Sequence, residues 1–138
     1  MIQEELNKII ENHKHWLNQD CKGWQTMKAN FSFVDLKGLD LSYTNLTGAD
    51  FYRTNLEGAY LSYSNLSCAN FEDVNLEEAN LYGADLTYSC LNRANLSSAD
   101  LRFTNLINMH LKDTSLDNAN LKGAILKSTI IEINKKLT

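Results

Sequence analysis

Few side chains in this 138-residue chain could do chemistry, and cysteine and histidine lead them. Cys90 and His110 are twenty residues apart, so a fold that stacks every twentieth residue places a thiol about 5 Å from an imidazole. A thiol beside an imidazole is the arrangement of a cysteine nucleophile and its general base. Asn70 belongs to the same series, but it lies on the far side of the cysteine, where it does not orient the imidazole.

Two more histidines, His13 and His15, flank Lys14 near the start of the chain. Residues i and i+2 point to different sides of a helix, and no carboxylate or cysteine has a spacing that completes a metal site. We therefore expect no metal site and interpret His13 as part of an apolar helix stripe. The cysteines have no CxxC spacing, which favours free thiols over a disulfide framework: Cys21, Cys68 and Cys90.

Charge is distributed unevenly along the chain, although its net charge is only −4. Residues 29–90 carry nine acids against Lys37 and Arg53, a net charge of −7. Residues 91–138 carry seven bases against four acids, a net charge of +3. Like charges held close together destabilise a fold unless something offsets them, so we consider either a solvated acidic face or one that binds a cationic partner. The acids concerned are Glu57, Glu72, Asp73, Glu77 and Glu78.

A five-residue repeat must position these side chains. Leu or Phe occupies every fifth position from Phe31 to Leu126, and Ile131 extends these centres to twenty-one. The residue two before each centre is Ala in ten repeats, and the residue just before it is Asn or Asp in fifteen. Three residues of strand-like alternation and a two-residue turn predict a coiling chain whose coils pair as a parallel ladder. Glycine falls at the second turn position, where positive φ is cheapest: Gly38, Gly48, Gly58, Gly83 and Gly123.

A spacing of twenty predicts the number of repeats in one coil, because equivalent positions in stacked coils resemble one another. Phe31, Phe51 and Phe71 recur at this spacing, as do Tyr43 and Tyr63. Charges alternate at the same spacing, which predicts a cross-coil ladder: Arg53, Asp73, Arg93 and Asp113. Four repeats per coil then give about five coils and a rod of roughly 24 Å.

Large centres and small partners alternate around each layer, so the interior fills at core density without strain. Leu39 and Met109 occupy positions where a small residue is the rule. We therefore expect local bulging at those two levels.

Runs such as TGADFYRTNLEGAYL, EEANLYGADL and RANLSSADL resemble the A-(D/N)-L-x-x motif of the pentapeptide repeat family. The resemblance covers about three quarters of the chain in unbroken register. It implies an all-β solenoid, a right-handed quadrilateral β-helix, and the handedness comes from the resemblance alone. Some positions lack the Asn or Asp of the motif: Tyr60, Cys90, His110, Ser115, Ile125 and Ile130.

The first end of the rod is predicted to carry a cap, because exposed ladder edges and core leucines invite association. Residues 2–19 have apolar side chains at spacings of three and four, which predicts an amphipathic helix lying, with Trp16 or Trp24, over the first coil. The HKHWL stretch also resembles the start of bacterial family members. We divide the chain into a cap with its linker, the repeat rod and a tail: residues 1–28, 29–131 and 132–138.

The far end has too few residues after Ile131 for a comparable helix. An apolar patch there favours either a tail-to-tail homodimer or a tail that folds back over its own last coil. The patch consists of Ile107, Ile125, Ile130, Ile133 and Leu137.

These features predict a non-enzymatic structural or protein-interaction module, because a filled rod provides no cleft or oxyanion donors. We accordingly interpret Cys90 and His110 as two ladder substitutions and expect no catalytic residue and no cofactor. The start of the chain resembles neither a signal peptide nor a membrane span. This favours a cytoplasmic protein with an unidentified protein partner and no direct contact with nucleic acid or membrane.

The resemblance also implies an alternative function, because some pentapeptide repeat proteins mimic duplex DNA and bind DNA gyrase, protecting it from quinolones. The predicted rod spans only about seven base pairs at a 3.4 Å rise. The basic second half of the chain also interrupts the acidic surface that such mimicry needs. Both features disfavour this alternative.

Overall fold

The computed structural model describes residues 1–129, a helix followed by a stack of coils. Helix α1 spans Gln3–Asn18, and a 3₁₀ turn spans Trp24–Thr26. From Asn30 onward the regular structure consists of isolated bridges between coils. The predicted tail and three residues of the apolar patch lie outside the described residues: Ile130, Ile133 and Leu137.

The coils pair through parallel bridges, each of which joins two residues twenty positions apart. Asn55, for example, bridges Asp35 in the coil before and Asn75 in the coil after. The N–H of a centre donates to the following coil, as from Leu36 to the Asn55 carbonyl at 2.8 Å. Four columns of such bridges run along the rod, so each coil contains four repeats, as the spacing of twenty predicts.

The expected three-residue strands shorten to single bridge residues throughout residues 30–125. A turn begins at each centre, as where the Val34 N–H donates to the Phe31 carbonyl at 2.9 Å. Because the turns interrupt the chain every five residues, no face is long enough to hold an extended strand.

The residue two after each centre, the second turn position of the sequence analysis, has a positive φ whether or not it is glycine. Gly38 has a φ of 68°, and Phe33 and Tyr43 have values of 62° and 60°. Fifteen residues of the repeats other than glycine adopt this left-handed conformation, which costs about 1–2 kcal/mol each. Glycine correctly marks the position in the sequence, and the backbone ladder holds the other residues there.

The Asn or Asp before each centre accepts a hydrogen bond within its own turn, and an Asn can also donate to the Asn or Asp of the coil before. Asn30 Oδ1 accepts the Ser32 N–H at 2.9 Å, a local bond typical of these residues. Between coils, Asn55 Nδ2 donates to Asp35 Oδ1 at 3.0 Å. These two contacts explain why Asn and Asp dominate this position.

The interior is filled by the centres and their small partners. All centres as far as Leu111 are at most 2% exposed. Phe51 stacks between Phe31 and Phe71, with ring centroids 5.0 and 4.6 Å away. A buried hydroxyl at a small position is satisfied locally, as where Ser64 Oγ donates to a turn carbonyl at 2.6 Å. Side chains occupy the interior, so binding chemistry has to come from the outer surface and the ends.

Helix α1 covers the first coil and bonds to several of its open backbone groups. The Gln3 amide donates to the Asp40 carbonyl at 2.9 Å and accepts the Asp40 N–H at 3.0 Å. His13 is fully buried, and its Nδ1 accepts the Ala29 N–H at 3.0 Å. Its Nε2 lies 3.1 Å from the Thr47 carbonyl. His13 therefore belongs to the capping stripe, with both ring nitrogens used by the backbone.

At the two levels where bulging is predicted, the one long ladder bond lies next to Met109. Next to Met109 the hydrogen bond from the His110 N–H to the Ser89 carbonyl lengthens to 3.4 Å. The Leu39 carbonyl accepts the Tyr60 N–H at an ordinary 3.0 Å. Met109 is nevertheless fully buried, because a flexible thioether adapts to a space shaped for a smaller residue.

Candidate functional site

One corner of the rod carries a column of aromatic rings, which we name the aromatic corner: Tyr43, Tyr63, Tyr82 and Phe103. Successive ring centroids lie 5.3, 5.5 and 5.4 Å apart. Tyr43 is 77% exposed, and Tyr63 and Phe103 are about half exposed. The rings therefore form a continuous apolar strip on the outside of the rod.

Glycine in the next coil makes room for two of these rings. A Cβ at Gly83 would lie 2.7 Å from Tyr63 Cε1, and a Cβ at Gly123 would lie 2.6 Å from Phe103 Cδ1. The spacing of twenty predicts that Tyr63 stacks on Tyr43, but it does not predict that Tyr82 joins this column. That residue occupies the first turn position of its coil and reaches the same corner by folding.

The aromatic corner continues into two adjoining grooves beside α1. One groove, of about 370 Å³, is lined by Ile10, Leu17 and Tyr43 among others. The second, of about 400 Å³, is lined in part by Gln3 and Asp40. Neither lining contains a cysteine, a histidine or a pair of carboxylates, so these grooves extend a binding surface and hold no catalytic set.

Arg102 adds a cation to the lower part of the aromatic corner. Its guanidinium carbon lies 5.2 Å from the centroid of the Tyr82 ring, and its Nη2 lies 2.7 Å from Asp100 Oδ2. Their mutual hydrogen bond lowers the pKa of Asp100 and raises that of Arg102. The exposed Lys122 follows in the next coil. The corner is thus apolar at the top, with the Arg102–Asp100 ion pair and the exposed Lys122 below.

Two of the five acids of the predicted acidic face are neutralised by arginines at one corner. Asp73 lies between Arg53 and Arg93, with contacts of 3.4 and 2.7 Å. Arg93 also contacts Glu72 at 2.5 Å. The hydrogen bond from Arg93 lowers the pKa of Asp73. The predicted alternating ladder is confirmed over Arg53, Asp73 and Arg93, but within residues 1–129 Asp113 Oδ1 has no hydrogen-bond partner, so the ladder ends at Arg93.

The neighbouring corner holds the other three acids. Glu57 contacts Lys37 at 2.9 Å. Glu77 and Glu78 are exposed, and Glu77 Oε2 accepts a long hydrogen bond of 3.3 Å from Asn95 Nδ2. The negative surface is thus concentrated at Glu77 and Glu78.

The described part of the apolar patch lies on the last coils. Ile107 is half-buried and Ile125 is 51% exposed. The neighbouring centre Leu126 is 39% exposed, whereas the centres as far as Leu111 are buried. The surface is apolar at the point where the described residues end.

Cys90 and His110 are bridge partners in one column, as predicted from their spacing. Cys90 is half-buried and His110 is exposed. Within residues 1–129 no hydrogen bond joins the thiol to the imidazole. All three cysteines are free thiols.

The end of α1 gathers three side chains that the sequence analysis did not connect. His15 Nδ1 lies 2.7 Å from Asp20 Oδ1, and Cys21 Sγ lies within 4.8 Å of a ring nitrogen of His15 and a carboxylate oxygen of Asp20. The hydrogen bond with His15 lowers the pKa of Asp20. Gln19, at a φ of 54°, turns the chain back onto the helix end and so brings Asp20 and Cys21 to His15; whether they complete a metal site stays untested.

Four columns of parallel rungs around a packed interior define a four-sided β-solenoid, a class of protein that presents side chains on a rod. The family model for pentapeptide repeats matches eight copies in this chain, over residues 29–67, 54–93, 64–102 and 94–132. The chain belongs to the pentapeptide repeat family. Proteins of this family fold as right-handed quadrilateral β-helices.

Solved structures of family members resemble the chain. A pentapeptide repeat protein from the thylakoid lumen of Arabidopsis thaliana is 28% identical with a TM-score of 0.65, over 67% of this chain and 65% of that one. HetL, involved in heterocyst differentiation regulation in the cyanobacterium Nostoc, is 30% identical with a TM-score of 0.44, over 76% and 54%. QnrB1, a plasmid-mediated fluoroquinolone resistance protein, is 21% identical with a TM-score of 0.42, over 76% and 64%. The chain therefore spans less than two thirds of the length of each.

No curated protein matches the sequence. Among residues 1–129, no helix has the length and hydrophobicity that a bilayer crossing requires.

Proposed function

We propose that the chain is a non-enzymatic protein-interaction module that binds its partner through the aromatic corner. The observation that carries this proposal is the column of four rings in contact, of which three are more than half exposed. Aromatic side chains provide large contact areas and dominate the energetics of protein interfaces. Contiguous apolar surface on a folded protein marks a place where a partner binds.

The rigidity of the rod supports this proposal. Tyr63 and Phe103 are turn residues whose backbone N–H groups donate to the next coil at 2.9 and 3.1 Å. Because the ladder fixes these turns before a partner arrives, little backbone entropy is lost on binding. The surrounding side chains provide a polar rim, with Arg102 and Lys122 below the rings. We therefore expect a partner that offers apolar side chains with an acid beside them for Lys122.

Affinity capture from the source organism tests the proposal, with the full chain as bait. The bait with Tyr43→Ser and Tyr63→Ser is expected to lose the partner. A matched bait with Glu77→Lys and Glu78→Lys is expected to keep it. With the purified partner, the tyrosine variant is expected to bind at least about tenfold more weakly, a loss of about 1.4 kcal/mol.

Two results would contradict the proposal. If both baits capture the same proteins with unchanged affinity, neither corner binds them. If only the lysine bait loses its partner, the binding surface is the acidic one at Glu77 and Glu78.

The DNA gyrase alternative is tested on the same preparation. Within the predicted acidic face, Asp73, Glu72 and Glu57 are paired with bases of the chain, which weakens a likeness to the phosphates of DNA. We therefore expect no change in gyrase supercoiling at micromolar protein, with or without a quinolone. Inhibition or drug protection would favour the alternative.

Homodimerisation at the far end stays a second prediction about partners, as does the cytoplasmic location. The exposed Ile125 and Leu126 support an association of this end with a second copy. Light scattering is expected to give twice the chain mass for the unchanged protein and the mass of one chain for Ile125→Lys. If both proteins have the mass of one chain, the result favours a tail that folds back over its own last coil.

A further inference from the structure

The junction between α1 and the first coil holds side chains of three ligand types. His15 provides a ring nitrogen, Asp20 a carboxylate oxygen and Cys21 a thiol sulfur, all within 4.8 Å of one another. The side chains of His15 and Asp20 are 38% and 45% exposed, so an ion can reach them from solvent. Ligand atoms of a tetrahedral zinc site lie roughly 3.3–3.8 Å apart, given bonds of about 2.0–2.3 Å. Small side-chain rotations therefore bring the three atoms onto one ion.

We propose that His15, Asp20 and Cys21 bind a divalent cation of the zinc class, with water as the fourth ligand. The mixture of donors selects this class, because Mg²⁺ and Ca²⁺ prefer oxygen-only sets, whereas imidazole and thiolate suit zinc. Three protein ligands and an open position are a known zinc arrangement.

The backbone around the cluster holds the ligands together. The Gln19 N–H donates to the His15 carbonyl at 2.8 Å and ends the helix, which brings the next two residues back over its last turn. The C-terminal end of a helix carries partial negative charge, which favours a cation. Met27 Sδ lies 3.8 Å from Cys21 Sγ, so the linker passes the thiol on its way to the first coil.

A bound ion would join the end of α1 to the linker that leads into the rod. The cap depends on Gln3 and His13, both of which are on this helix, so fixing the helix end stabilises the covered coil. A hundredfold excess of metal over its dissociation constant is expected to raise the melting temperature on the order of 5–10 °C. This inference is independent of the proposed binding surface at the aromatic corner.

Cobalt binding tests the site in the full-length, reduced and chelator-treated protein. Co²⁺ in a tetrahedral site with one thiolate gives a sulfur-to-metal charge-transfer band and visible ligand-field bands, and Zn²⁺ is expected to displace it. Cys21→Ser is expected to abolish the charge-transfer band. His15→Gln and Asp20→Asn are each expected to weaken binding at least tenfold.

Matched variants separate this site from the other thiols and imidazoles. Cys68→Ser and His110→Gln are expected to bind Co²⁺ like the unchanged chain. Zn²⁺ is also expected to shift the ring NMR signals of His15 and leave those of His110 in place, a readout that needs no variant. The inference is overturned if the chain gives no cobalt band, if Cys21→Ser keeps the band, or if Zn²⁺ shifts His110 in place of His15.

Discussion

A comparison of Gly83→Ala with Gly58→Ala tests how tightly the aromatic corner is packed. Both glycines occupy the same turn position at nearly equal φ, 65° and 61°. A Cβ at Gly58 meets no atom within 4 Å, whereas a Cβ at Gly83 meets the Tyr63 ring at 2.7 Å. The two substitutions therefore share one backbone cost and differ in one steric contact.

The two substitutions are expected to lower the free energy of unfolding by different amounts. Gly58→Ala is expected to lower the free energy of unfolding by about 1 kcal/mol, the cost of a left-handed alanine. Gly83→Ala adds the displacement of the Tyr63 ring from Tyr43 and Tyr82, whose centroids lie 5.3 and 5.5 Å away. Each lost aromatic contact costs about 0.5–1.5 kcal/mol. The total expected for Gly83→Ala is about 2–4 kcal/mol.

Urea unfolding of the full chain, followed by circular dichroism, measures both losses. The double variant Tyr63→Ala with Gly83→Ala is the control, because without the ring the second substitution is expected to cost only the shared backbone term. If Gly83→Ala and Gly58→Ala lose the same free energy within about 0.5 kcal/mol, the Tyr63 ring does not pack on Gly83 and the stacked corner is refuted.

Three further predictions address the turns, the interior and the charge ladder. Ser98→Gly is expected to raise the free energy of unfolding by about 1 kcal/mol, since Ser98 has a φ of 59°; a decrease would contradict the strain at this turn. Leu81→Ala is expected to cost about 2–5 kcal/mol and Leu126→Ala less than half as much, because Leu81 is fully buried and Leu126 is 39% exposed; equal losses in urea unfolding would contradict it. Arg93→Ala is expected to raise the pKa of Asp73 in an NMR titration, because the hydrogen bond from Arg93 is the largest cause of its lowering. Because the pKa of Asp73 is lowered in the folded state, its ion pair stabilises the fold at pH values above the unfolded pKa of about 3.9. This stabilisation is lost as the pH falls through the folded pKa. An unchanged pKa of Asp73 in Arg93→Ala would contradict the contact.

The periodic features could be predicted from the sequence because each depends on a single repeated environment. Phe31, Phe51 and Phe71 stack as their spacing indicates, and the Arg53, Asp73 and Arg93 ladder follows the same rule. The departures arise where the chain leaves that period. Tyr82 reaches the aromatic corner from a different turn position, and Asp20 reaches His15 through a left-handed residue outside the repeats.

Glycine placement links the stability of the rod to its surface. Aromatic rings lie over three of the repeat glycines, Trp16 over Gly48, Tyr63 over Gly83 and Phe103 over Gly123. A left-handed turn costs least with glycine, so at these positions one residue type removes backbone strain and also makes room for a ring from the preceding layer. Tyr63 and Phe103 then contribute to folding as well as to binding, because part of each ring packs on the next coil. Tyr43 differs, since it is 77% exposed and contacts the ring of Tyr63 with no repeat glycine beneath it. Loss of the Tyr43 ring should therefore affect a partner more than the rod itself, which makes it the residue that best separates recognition from stability.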